Sequence, residues 1–188
     1  DVDRDEVLLI DDWRLTETAQ ISEDFGAMHD WSHGGRIGNW ITVNGDGYWT
    51  SDARQNERLR LRLVNASNAR IYNLSLKGLS GWVVALDGQP LSALQPAEKL
   101  VLAPAQRADL IVDVTAEVGT EASLVSHERG GSYAIATFRV GQAVAEQRTE
   151  GPAPLPENAL PEIGPLAQTR AVDLVMDGGA MGQMRSAM

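Results

Sequence analysis

The 188-residue chain predicts an all-β fold, an antiparallel sandwich with Greek-key crossings, on three observations. Apolar residues recur with period two, most clearly in Arg58-Leu-Arg-Leu-Arg-Leu-Val64, where Leu59, Leu61 and Leu63 share one face and Arg58, Arg60 and Arg62 the other. Elsewhere, short apolar runs are bounded by Gly, Asn, Asp and Pro. Sustained helical periodicity is hard to find. The leucine face is expected to be core, the arginine face wet or interfacial.

In chain order, strands are expected over 6–10, 40–44, 58–64, 71–77, 82–86, 99–102, 108–114, 122–127 and 133–140. Turn chemistry separates them. Asn44-Gly45-Asp46-Gly47, Lys77-Gly78, Asp87-Gly88 and Gly130-Gly131 supply positive-φ positions, while Pro90 and Pro104 are read as strand stops. From Gly141 the pattern dissolves into Gly151-Pro-Ala-Pro-Leu-Pro156 and further prolines, an extended and semi-rigid composition. Alternation resumes at Thr169. The expected organisation is a domain over 1–142, a Pro-rich linker over 143–168, and the start of a further domain over 169–188.

Composition narrows the possibilities. At 43% hydrophobic and 22% charged, the chain can build one ordinary globular core. A net charge of -10 repels phosphate backbones, so nucleic acid is excluded as a partner, and anionic membrane surfaces are disfavoured on the same grounds. No run of about 18 apolar residues could span a bilayer, and a soluble chain is expected. With no cysteine there is no disulfide, zinc thiolate, haem thioether or nucleophilic thiol, and the compartment stays open. The chain begins on Asp1 without a start methionine and ends on Met188, so it is expected to be an excised segment.

Four ordered strings carry a family resemblance. Arg60-Leu-Arg-Leu-Val-Asn-Ala-Ser-Asn-Ala-Arg-Ile-Tyr72 resembles the second cupredoxin domain of bacterial multicopper oxidases, the group of laccases and copper-efflux oxidases. Ile41-Thr-Val-Asn-Gly45 and Val84-Ala-Leu-Asp-Gly88 resemble the strands on either side of it, and Leu102-Ala-Pro-Ala-Gln-Arg-Ala-Asp109 resembles the closing strand pair. With Leu8-Leu-Ile-Asp-Asp-Trp13 added, the likeness covers roughly residues 5 to 140. One departure concerns the turn: Pro104-Ala-Gln-Arg107 stands where the family has Pro-Gly-Glu-Arg, so residue 105 is expected to avoid positive φ.

The resemblance implies an exported parent protein, periplasmic or secreted, with three cupredoxin domains. Such a protein oxidises phenolic or metal-ion substrates at a blue copper and reduces O2 to water at a trinuclear cluster. This chain would be the copper-free middle domain, spacing and docking the first and third domains and helping to wall the substrate cleft. Two other readings stand beside it: a copper-free periplasmic scaffold of the cell-division type with three cupredoxin domains, and a free-standing adhesive or carbohydrate-binding sandwich.

No residue is expected to be catalytic, to bind a cofactor or to hold metal. A blue-copper centre needs a Cys thiolate with two His, and the family's cluster needs His-x-His pairs; only His29, His33 and His127 are present. His29 and His33 stand four apart, as on one helix face, but Gly34 and Gly35 argue for a solvated loop near a domain boundary, and His127 is expected to be packed or on the surface. Met176, Met181, Met184 and Met188 are read as core or cleft lining rather than Cu(I) ligands. Asn65, Ser67 and Asn68 are expected to satisfy loop backbone groups, and Arg107 and Asp109 to pair across their turn.

Overall fold

In the computed structural model, which describes residues 2–143, 148–162, 164, 165 and 169–175, the leucine and arginine alternation becomes the strand at the centre of a sheet. Eleven strands and one short helix form the regular structure among the described residues. They are β1 (Arg4–Trp13), α1 (Met28–Ser32), β2 (Trp40–Val43), β3 (Thr50–Arg54), β4 (Arg58–Asn65), β5 (Tyr72–Lys77), β6 (Leu79–Leu86), β7 (Gln89–Pro96), β8 (Leu100–Leu102), β9 (Arg107–Val114), β10 (Glu121–Glu128) and β11 (Gly131–Gly141). One sheet has the order β2-β1-β4-β9-β6-β7 and the other β3-β11-β10-β5-β8. Leu8, Leu59, Leu61, Leu63, Leu74, Leu110, Val112, Leu124 and Phe138 are buried between the two.

The sheets are mixed rather than purely antiparallel. β1 runs parallel to β4, with Leu8 beside Leu63, and β3 runs parallel to β11. In both cases long intervening chain allows the return in the same direction that a tight hairpin forbids. Nine expected strands are present with ends shifted by a few residues, and two more exist. The additional β3 and β7 are edge strands, with polar or Pro-containing sequences that bury little and so show no alternation. Pro90 lies inside β7 instead of stopping a strand, which an edge permits because one row of its N–H groups needs no partner.

Turns follow their residue chemistry. Asn44 and Gly45 have φ of 53° and 83°, and Asp87 and Gly88 have 49° and 81°, the paired left-handed conformations of two-residue hairpins. The turn before β9 departs from expectation. Ala105 takes φ of 65°, while Gln106 N–H donates to the Ala103 carbonyl at 3.0 Å and Ala105 N–H to the Asn65 carbonyl at 3.0 Å. Those two bonds and Pro104 at the preceding position hold the backbone where a glycine is usual, overriding the Cβ penalty. Residues 169–175 are exposed and lie outside any strand, and the four C-terminal methionines lie outside the described residues.

Ala105→Gly is expected to raise stability by about 1 kcal/mol, since relief of the left-handed penalty exceeds the added unfolded-state entropy. Urea midpoints at constant m-value measure it; an unchanged or lowered midpoint would contradict this account of the turn.

Candidate functional site

The expected docking face is the outer surface of the six-stranded sheet, where the β4 arginines point. Each finds an aspartate. Arg58 is 5% exposed and grips Asp113 on β9 with Nε and Nη2 at 2.6 and 2.7 Å. Arg60 pairs with Asp109, its Nε donating at 3.1 Å. Arg62 pairs with Asp5 on β1 at 2.6 Å. Hydrogen bonds from Arg62 hold the Asp5 carboxyl below the usual range, and those to Asp113 keep Arg58 firmly charged. The row is therefore a neutralised ladder rather than a free positive face. Asp109 belongs to it, so it does not pair with Arg107; the latter instead reaches Asp87, with its backbone N–H donating to the Asp87 carboxylate at 2.8 Å.

The chain after β11 returns across this ladder. Arg58 Nη2 also donates to the Glu150 carbonyl at 2.8 Å, and Arg148 donates to both Asp3 carboxylate oxygens at 2.9 Å. Gly151 lies against the Trp82 ring and Pro152 is buried. Asn158 ends the strap by donating to the Gly88 carbonyl at 2.9 Å. The Pro-rich segment is thus docked at its start, and Leu155 and Pro156 help line a shallow cleft of about 420 Å³ over Arg60 and Arg62.

A second polar centre ties loops together at one end of the sandwich. Asn65 donates to the Arg70 and Leu102 carbonyls at 2.8 and 2.9 Å and accepts from Ser67 N–H at 2.9 Å, while the Ser67 and Tyr72 hydroxyls meet at 2.7 Å. Burial pushes the Tyr72 hydroxyl up, so it stays protonated. Asn68 is exposed. Arg70 reaches Asp12 at 2.9 Å, Glu128 at 2.5 Å and the Gly38 carbonyl at 2.6 Å. Beside it, Trp40, Tyr48 and Tyr133 line an open cleft of about 490 Å³.

His127 lies at the surface as expected, whereas His29 departs from the expected loop. His29 lies in the short helical turn α1, and His33 is the non-helical residue that follows it, its ring stacked on that of His29 with centroids 4.5 Å apart and planes 17° from parallel. The glycines follow the turn instead of preventing it. Arg14 fixes the turn by donating to both oxygens of the buried Asp30 at 2.9 and 2.8 Å, and it also holds Asp24 at 2.8 Å. Ser22, Arg36 and Arg14 keep the Asp24 carboxyl well below the usual range, and Arg14 lowers that of Asp30. His127 lies at the sheet surface between the Ser75 and Ser132 hydroxyls, at 2.7 and 2.8 Å.

This donor set fits neither copper centre of an oxidase. A sequence without cysteine lacks the thiolate of a blue site, and three histidines without a His-x-His pair lack the cluster's ligands. Among the described residues, no three His, Cys, Asp or Glu side chains converge as a metal site. No helix among them is long and apolar enough to cross a membrane.

Two facing sheets joined by Greek-key crossings, with a core between them and a polar ladder outside, define a cupredoxin-type domain. The family model described as "Multicopper oxidase" matches residues 4–152, and the chain belongs to that family. It is 33% identical over 157 residues to "Multicopper oxidase LPR1 homolog 3" of Oryza sativa subsp. japonica, covering 74% of this chain and 29% of that protein. It is 31% identical over 161 residues to "Cell division protein FtsP" of Dickeya dadantii, covering 81% of this chain and 34% of that one. Among solved structures, the metagenomic Lac15 from a marine source superposes with a TM-score of 0.69 at 34% identity over 86% of this chain and 39% of that one. A multi-copper oxidase from Pseudomonas thermotolerans gives 0.71 at 29% identity, over 86% and 38%. The chain therefore spans roughly a third of the length of these proteins.

Two outcomes follow from this geometry. Asp113→Ala strands a buried guanidinium and is expected to cost about 2–4 kcal/mol, whereas Asp5→Ala at the exposed Arg62 pair costs under about 1 kcal/mol; equal losses in urea would contradict the ladder's burial gradient. For the α1 loop, the folded carboxyls of Asp24 and Asp30 titrate below their unfolded value of about 3.9, so the unfolded state binds more protons in that window. The stability they give is complete at neutral pH and is lost as pH falls below about 4 towards the depressed folded values. Asp30→Asn should flatten this acid limb of urea midpoint against pH, and an unaltered limb would refute it.

Proposed function

We propose that this chain is the middle domain of a three-domain multicopper oxidase, exported to the periplasm or beyond the cell. Its domain spans 1–142, its linker 143–168, and a third cupredoxin domain starts within 169–188. The observation that carries this reading is a cupredoxin-type domain of the oxidase family whose sequence has no cysteine and no His-x-His pair. The parent would take single electrons from phenolic or metal-ion substrates and reduce O2 to water with copper held by its other domains. This chain's part is positional: a reaction centre shared between two other domains loses rate with misplacements of about 1 Å. Support comes from the strap, which leaves the sandwich in a direction set by Arg58, Trp82 and Gly88. The aromatic cleft at Trp40, Tyr48 and Tyr133 suits a wall of the substrate cleft.

A second reading, a copper-free scaffold of the cell-division type, is favoured by the likeness to FtsP. The two differ outside this chain: an oxidase requires a Cys and His-x-His pairs in the flanking domains, and a scaffold does not.

The test is to load the purified chain with Cu(II) and assay it. No intense blue copper-thiolate absorption and no phenol oxidation are expected. Either signal from this chain alone would overturn the middle-domain reading.

A further inference from the structure

We infer that His29 and His33 form an exchangeable surface site for a late first-row divalent ion, Cu(II) foremost. The inference goes beyond the proposed oxidase role and does not depend on it, because it uses only residues of this chain. His29 lies in α1 and His33 is the residue that caps its C-terminus, and the fold brings their imidazoles into a stack 4.5 Å apart. Both residues are exposed, so an ion can reach them without opening the fold.

The hydrogen bonding sets the donor atom on His33. Ser32 Oγ has one proton and gives it to the Met28 carbonyl at 2.6 Å, so the same oxygen can only accept from His33 Nδ1, 3.2 Å away. His33 therefore carries its proton on Nδ1, which leaves the lone pair on Nε2. A second hydrogen bond that fixes tautomer and ring orientation is what metal-ligating histidines ordinarily have. In the stacked arrangement the two ring planes are nearly parallel, so both exposed side chains must turn about their torsions before their nitrogens, each about 2.0 Å from the metal, converge on one ion.

The turn beneath is pinned by Arg14, which ties the Asp30 carboxylate through two hydrogen bonds. That pairing also withdraws Asp30 from the ion, leaving a chelate of two neutral nitrogens and open positions for water. Imidazole donors select Cu(II) over Ni(II) and Zn(II), and hard ions such as Mg(II) are not retained. With two protein ligands the ion exchanges freely, unlike one buried in a closed site. His127, whose two ring nitrogens both meet serine hydroxyls, is a built-in control.

Calorimetric titration of the untagged full chain with Cu(II), paired with electron paramagnetic resonance, tests the site. The expected result is one ion per chain, with nitrogen couplings from two imidazoles. His29→Ala and His33→Ala should each weaken binding at least about tenfold, and Ser32→Ala also about tenfold through loss of the tautomer lock. His127→Ala and the substitution of Mg(II) for Cu(II) should respectively leave Cu(II) binding unchanged and give no binding. Wild-type affinity in the His29→Ala/His33→Ala double variant, an equal loss in His127→Ala, or no Cu(II) uptake by the wild type would overturn the assignment. Circular dichroism of each variant separates loss of ligand from loss of fold.

Discussion

The buried guanidinium of Arg58 is the constraint on which the outer face of this sandwich depends. Taking an unpaired cation out of water would cost several kcal/mol, and Asp113 offsets that only because two parallel hydrogen bonds meet the fork squarely. The remaining Nη2 proton then selects the Glu150 carbonyl, more than ninety residues away in sequence. One buried charge thereby joins the central strand, its neighbour and the returning chain. The outer pairs at Arg60 and Arg62 are progressively wetter, so they contribute register and charge balance more than stability.

A second constraint acts at the end of the sandwich. Arg70 loses much of its hydration, yet Asp12 and Glu128 together keep it charged. Because Asp12 is the last residue but one of β1, Glu128 ends β10 and Gly38 precedes β2, this single side chain sets where three loops lie relative to each other. Asn65 performs the neutral counterpart, its amide turning two carbonyls and one N–H inward. In the proposed role, such loops form the surfaces against which other domains rest, and their rigidity limits the error in spacing.

The central strands were legible because burial on one face writes alternation into the sequence, as at Leu59, Leu61 and Leu63. β3 and β7 were not, since an edge strand with Thr-Ser-Asp or Gln-Pro at its start buries too little to show a period. The lack of a cysteine and of any His-x-His pair is a fact of the sequence itself. What the residues could not disclose was pairing across distance. The arginine row looked like an open docking face until Asp5, Asp109 and Asp113 arrived from two neighbouring strands and the strap from beyond β11. Likewise Gly34 and Gly35 suggested a loop, whereas the Arg14 to Asp30 contact holds a helical turn just before them. At Ala105 the local preference against positive φ was overruled by two backbone hydrogen bonds that only the folded strands provide.

Backbone order across residues 148–158 tests the central claim most directly, because a domain that spaces others must fix the direction in which its chain leaves. The account predicts NMR order parameters near the rigid-backbone value of about 0.85 at Glu150 and Gly151, falling when Arg58 is replaced by Met. Values below about 0.6 in the unaltered protein would show a free linker and contradict it.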